Sequence, residues 1–250
     1  MLEPPNARIP RLGVLAFGDS ITNAGGDLQW GVALQSWALW VARGLGLPYT
    51  GYAIDGNRAV DVVNGQIPAA LARGPGADAR YDLGCLYIGV NDVRAFDWDR
   101  IQFAEDFRAA TEFVAARCDR VLAVTAPLDL GRPRAGAKVL DLNAAIERIA
   151  TEYGALLLDL SGFGARNHVM TDHVHPTAFG QIAIAERALD VLAADGMQVL
   201  VRPSSLIEYR VTWWGRLRGD AAYAYRHLKV SARALAQVLW LSLSGPRSRR

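Results

Sequence analysis

Ser20, Asp172 and His175 have the residue types and spacing for nucleophilic chemistry on a carbonyl. A serine hydroxyl attacks only when a neighbouring base takes its proton. His175 is the candidate base, and Asp172, three residues ahead of it, can hold the ring through Nδ1 and stabilise the imidazolium. Ser20 lies in Gly18-Asp19-Ser20-Ile21-Thr22, directly behind an apolar run. The chemistry would be acyl transfer through a serine ester. Asp19 reads as a brace of its own loop rather than a reacting group.

These residues need elements to hold them. Strand-like apolar runs recur at 12–17, 49–54, 81–88, 120–126 and 155–160, and helix-like stretches lie at 30–45, 59–73, 99–117, 137–153 and 178–194. Such alternation predicts a parallel sheet covered on both faces by right-handed crossovers. Pro68 predicts a kink or a late restart in the second helix. Ligands of open α/β sheets bind outside the carboxyl ends of the strands. Ser20 follows the first strand, Gly56 the second and Asn91 the third. Pro176 favours ending its loop and opening the next helix, which fixes the direction of His175.

Four blocks therefore stand in order: Gly18-Asp19-Ser20, Ile54-Asp55-Gly56-Asn57, Tyr87-Ile88-Gly89-Val90-Asn91-Asp92 and Asp172-His173-Val174-His175-Pro176. In this the chain resembles the SGNH (GDSL) hydrolase superfamily. No Gly-x-Ser-x-Gly elbow surrounds Ser20, which separates it from the α/β-hydrolases despite the shared Ser, Asp, His order. The resemblance implies a three-layer α/β/α, flavodoxin-like fold with about five parallel strands. It also implies an oxyanion hole made by the N–H groups of Ser20 and Gly56 and the Asn91 amide. The physical reasons are that glycine lets backbone approach a substrate and that an amide can project its N–H₂ into the crevice. The family often has asparagine where this chain has Gly51, which puts the bracing of the second loop in question. His173 is the alternative base, although the family spacing selects His175. A metal site built from His168, His173 and His175 with Asp172 is a further alternative, but its ligand spacing lacks a partner from a third element. The serine reading needs neither metal nor cofactor.

Arg58, Arg94, Arg132 and Arg134 follow predicted strand ends, and such a rim would suit an anionic substrate. Trp30 and Trp98 could stack on a sugar or line an acyl channel. Trp37, Trp40 and Tyr87 read as core. The chain also resembles the intracellular, actinobacterial SGNH acyltransferases, such as the diglucosylglycerate octanoyltransferases. That likeness implies transfer of a medium-chain acyl group from an acyl ester or thioester to a sugar hydroxyl. A plain carboxylesterase or lipase, and an inactive SGNH-fold binding module, are the competing expectations.

The chain has 250 residues, 51% of them apolar, enough for one sizeable domain with an appendage. The expected division is an SGNH domain over 1–200 and a basic helical extension over 201–250 with a disordered end. From residue 202 onward ten basic residues face two acidic ones, a charge of +8, which leaves −6 for the rest. The extension carries an amphipathic helix expected over 221–241, which could pack on its own domain, meet a partner or rest on a membrane surface. An acidic body without a recognised motif argues against nucleic-acid binding. The N-terminal segment lacks the apolar stretch of a signal peptide, and Cys85 and Cys118 read as buried free thiols, so a cytoplasmic setting is expected.

Overall fold

Short apolar runs become strands here because both their faces are covered, as a parallel sheet between helices requires. Val14, Leu15, Ala16 and Phe17 of the first strand are each shielded from solvent. The structure is a computed structural model that describes residues 11–27, 31–73, 79–165, 167–209 and 212–244, with side chains of the last helix described to 232 except 226 and 230.

The strands are β1 (Val14–Gly18), β2 (Tyr49–Gly51), β3 (Tyr81–Tyr87), β4 (Cys118–Val124) and β5 (Leu156–Leu158). They form one parallel sheet in the order β2-β1-β3-β4-β5. Helix α1 (Trp37–Leu45) packs with α7 (Ala178–Ala194) on one face. On the other, α5 (Arg100–Ala115) packs with α6 (Lys138–Glu152) and with the short α2 (Ala59–Asp61). A π-helical turn (Val62–Gln66) joins α2 to α3 (Ile67–Arg73), and α4 (Val90–Arg94) follows β3. This is the flavodoxin-like, three-layer α/β/α arrangement. The strand order reverses direction between β1 and β3, and crevices open at such switch points.

Several boundaries shift from the sequence expectation for local reasons. α1 begins at Trp37, not at 30, because the Ser36 side chain accepts the Ala38 N–H and caps the helix. β2 stops at Gly51 because the chain leaves the sheet there, and Ile54 is exposed. Ahead of Pro68 the helix widens, with the Ile67 N–H reaching the Val62 carbonyl, before α3 restarts at Ile67. Trp37, Trp40 and Tyr87 are core residues, and Trp37 meets Tyr87 edge to face at 6.3 Å. Cys85 and Cys118 are buried free thiols, and burial pushes the Cys118 thiol up to about 12.

Residues just past 200 still bind the body. The Leu200 N–H donates to Gly44 at 2.8 Å, Arg202 pairs with Asp190 at 2.7 Å, and Tyr209 meets Phe179 edge to face at 4.7 Å. Beyond them runs α8 (Trp213–Ser244). No helix among the described residues is long and apolar enough to cross a membrane.

Candidate active site

Ser20 sits two residues past the end of β1, at the switch-point crevice. Its loop is bound closely to the body. The fully buried Gln181 of α7 donates to the Ile21 carbonyl at 2.8 Å and accepts the Trp37 N–H at 2.8 Å. The Thr22 hydroxyl accepts the Trp37 indole N–H at 3.1 Å. Gly26 passes so close to the Pro176 carbonyl that a Cβ there would lie 2.1 Å from its oxygen, so only glycine fits.

The opposite wall is the segment between Asn167 and Thr177. Backbone bonds from Met170 to His175 and from Thr177 to His168 fold it back on itself. Thr177 caps α7 by accepting the Gly180 N–H at 3.1 Å. This brings the His175 ring to Ser20, whose Oγ donates to Nε2 at 2.9 Å. The Nδ1–H donates to Asp172 Oδ2 at 2.7 Å, which leaves Nε2 as the acceptor. The backbone N–H groups of Val174 and His175 donate to Asp172 Oδ1 at 2.9 and 3.1 Å.

Charge follows from these contacts. Burial alone would raise Asp172, but the bonds from the His175 ring and the two backbone N–H groups outweigh it and hold the carboxyl below its ordinary range. The bond to Asp172 raises His175 above its ordinary value against the opposing effect of burial. Asp19, beside Ser20, is fully buried and pushed up to about 7 by desolvation. Its Oδ1 accepts the Ile21 N–H at 2.9 Å, bracing the loop, while its Oδ2 finds no partner among the described residues.

Gly56 and Asn91 converge from the second and third strands. Gly56 has φ +78°, the left-handed region in which glycine alone is unstrained. Asn91 lies in the first turn of α4, and its Nδ2 donates to the Asn57 carbonyl at 2.9 Å. One amide proton is spent on the loop and the other remains available. The N–H groups of Ser20 and Gly56 make no hydrogen bond to a described residue.

The second loop, whose bracing Gly51 put in question, is braced from a distant helix turn. Gln66, fully buried at the end of the π turn, donates to the Gly18 carbonyl and to Asn57 Oδ1, both at 2.7 Å. Its Oε1 accepts the Gly18 N–H at 3.1 Å. One side chain thus ties the nucleophile strand to the Gly56 loop. Asp92, beside Asn91, is buried and accepts the Ala59 N–H at 3.1 Å, holding α2 across the same loop. Sequence reasoning missed Gln66, Asp92 and Gln181; the available signal was a polar side chain set among apolar helix neighbours.

The other candidates disperse. His173 has φ 56° and is held by Asp129 at 2.9 Å and Arg132 at 2.7 Å. His168 stacks on Phe163. The three histidines thus occupy three separate settings. Arg132 and Arg134 both pair with Asp129, and Arg58 pairs with Asp97 at 3.0 Å. Arg94 is exposed, has no carboxylate partner among the described residues, and lowers the proton affinity of His175. Trp98 packs on Phe103. Trp30 lies outside the described residues, as does the C-terminal end over 245–250.

A serine hydroxyl on an imidazole on a carboxylate, with unspent N–H donors nearby, can form and break an acyl ester. A sequence profile described as the GDSL-like lipase/acylhydrolase family matches residues 16–182. The chain belongs to that family. As a GDSL-like acylhydrolase of the SGNH type, it is a serine hydrolase acting on acyl esters. Among solved structures, an acetylxylan esterase from Geobacillus stearothermophilus is similar at TM-score 0.56 and 20% identity, over 74% of this chain and 95% of that one. The enzyme LAE5 from the metagenome of Lake Arreo, Spain, described as an alpha/beta hydrolase, gives 0.58 at 19% identity, over 72% and 94%. TesA gives 0.57 at 20% identity, over 73% and 98%. These likenesses are of fold. No curated protein sequence matches the chain.

Proposed function

We propose that this GDSL-like acylhydrolase works through an acyl-enzyme on Ser20 and moves a short- to medium-chain acyl group at a sugar or glycoside hydroxyl. The observation that carries the mechanism is the hydrogen-bonded series Ser20, His175, Asp172 at 2.9 and 2.7 Å. Ser20 Oγ attacks the acyl carbon while its proton passes to His175 Nε2. The oxyanion takes hydrogen bonds from the Ser20 N–H, the Gly56 N–H and the second Asn91 amide proton. Collapse expels the alcohol, which takes the proton from His175. Water or a bound sugar hydroxyl, deprotonated by the same imidazole, then releases the acyl group.

The sugar is suggested by the acetylxylan esterase whose fold this chain shares. Transfer to a sugar bearing a carboxylate, diglucosylglycerate among them, is favoured by Arg94, whose charge is uncompensated among the described residues and lies near His175. A donor thioester or ester serves equally, because either leaves the same acyl-enzyme. The catalytic unit is the body, and the basic segment that follows Tyr209 is an appendage.

The test is labelling by a fluorophosphonate, read by intact mass, beside hydrolysis of p-nitrophenyl esters of graded length. Wild-type protein gains one label; Ser20→Ala gains none and hydrolyses nothing above background. A label retained by Ser20→Ala removes Ser20 as nucleophile, and no label on wild-type protein makes the chain a binding module.

A further inference from the structure

The side chains of α8 divide into faces that the body does not explain. Trp213, Trp214, Leu217, Tyr225 and Leu228 are 65, 68, 49, 68 and 71% exposed. At helical spacing Trp213, Leu217 and Leu228 share one face, which Trp214 and Tyr225 widen. An adjoining flank of the helix meets the body: the His227 ring, stacked on Tyr223 at 6.1 Å, lies 6.5 Å from that of His173. Exposed Arg216, Arg218 and Lys229 stand around the apolar stripe.

We propose that α8 lies on an anionic phospholipid bilayer, with this aromatic stripe in the headgroup region. Tryptophan and tyrosine favour that interface, where an apolar ring and a polar N–H or O–H are both satisfied. Charge supplies the orientation: the segment from 202 onward carries +8 and the remainder −6, so an anionic surface attracts one end and repels the other. The helix has 32 residues, about 48 Å of axis, and is too polar to cross. It therefore rests on the surface rather than spanning it. A second copy of the chain fits the stripe less well, because pairing two such helices sets their basic flanks side by side. The contact of His227 with His173 ties this helix to the segment that carries His175. The proposal holds for hydrolase and transferase alike.

The experiment is flotation of the full-length protein with vesicles of phosphatidylcholine, with or without phosphatidylglycerol. Binding is expected to the anionic vesicles, weak binding to the neutral ones, and release by salt. The triple substitution Trp213→Ser, Trp214→Ser, Leu217→Ser removes exposed side chains only, so hydrolysis of a soluble ester should persist. Its vesicle partition should fall roughly tenfold or more. Arg216→Gln, Arg218→Gln, Lys229→Gln should lose the preference for anionic vesicles while keeping soluble-ester hydrolysis. Equal flotation with neutral and anionic vesicles, or full flotation of the triple serine variant, overturns the proposal. So does wild-type protein that ignores vesicles but self-associates through the stripe, which would make α8 an interface between copies.

Discussion

At the scale of single residues, the proposed mechanism makes the proton on His175 decide when the enzyme can work. The imidazole must be neutral to accept the Ser20 proton, so activity falls as pH drops through its pKa. Asp172 raises that pKa above the ordinary 6.5, and the Asp19 charge raises it further. The acid limb of kcat/KM for a soluble ester should therefore centre above 6.5. Asp172→Asn removes the largest upward influence, so the midpoint should move down while kcat falls toward ~10⁴-fold. Asp19→Asn keeps an acceptor for the Ile21 N–H and removes a charge that a carboxyl pushed up to about 7 carries over only part of this limb; a smaller downward move is expected, with kcat largely kept. A pH–rate profile of the three proteins decides it, and an unmoved limb in both variants would mean that another group titrates.

At the scale of elements, the loops of the site are held by amide side chains reaching between distant segments. Gln66→Leu would leave the buried Gly18 N–H without its side-chain partner, at about 1–3 kcal/mol, while the Gly18 carbonyl keeps the Ile54 N–H at 3.3 Å. A melting temperature several degrees lower is expected, together with a fall in kcat that exceeds any change in KM, because the Gly56 loop would lose its tie to β1. A lower melting temperature with unchanged kcat would make Gln66 purely structural. The strands and main helices were legible as apolar runs, since burial on both faces imposes continuous hydrophobicity. Ser20, Asp172 and His175 were legible because two of them share one turn and the third follows a strand. Gln66 and Gln181 were not, because their partners lie 48 and up to 160 positions away. Nothing local in one sequence announces such a pairing. Short-range geometry escaped for a similar reason: the Ser36 cap and the exit at Gly51 depend on what the neighbouring segments bury.

At the scale of the molecule, the switch point between β1 and β3 gathers loops from three strand ends around Ser20, and the proposed acceptor would meet the charges on their rim. Arg58, Arg132 and Arg134 spend their charge on Asp97 and Asp129, while Arg94 has no such partner among the described residues. Arg94→Ala should therefore reduce acyl transfer to a carboxylate-bearing sugar more than it reduces hydrolysis of a neutral ester. Arg58→Ala should leave that ratio nearly unchanged. Product analysis of free acid against sugar ester reads the ratio; equal losses from both variants would show that the rim does not discriminate. An oriented acceptor competes with bulk water only through effective molarity, which is what a single well-placed ion pair can supply.

The π turn over Val62–Gln66 has a consequence for insertions and deletions. A π turn is one residue longer than the α turn it replaces, so it resets the angular phase of everything on one side of it by about 100°. Gln66 points at Gly18 only in that shifted phase. Deleting Asn64 should let the segment close into a regular α-helix that is locally sounder, yet swing position 66 away from the sheet. Circular dichroism would then show helix content kept or gained while ester hydrolysis is lost. In this segment a residue that contributes no side chain to the site is needed simply for being counted.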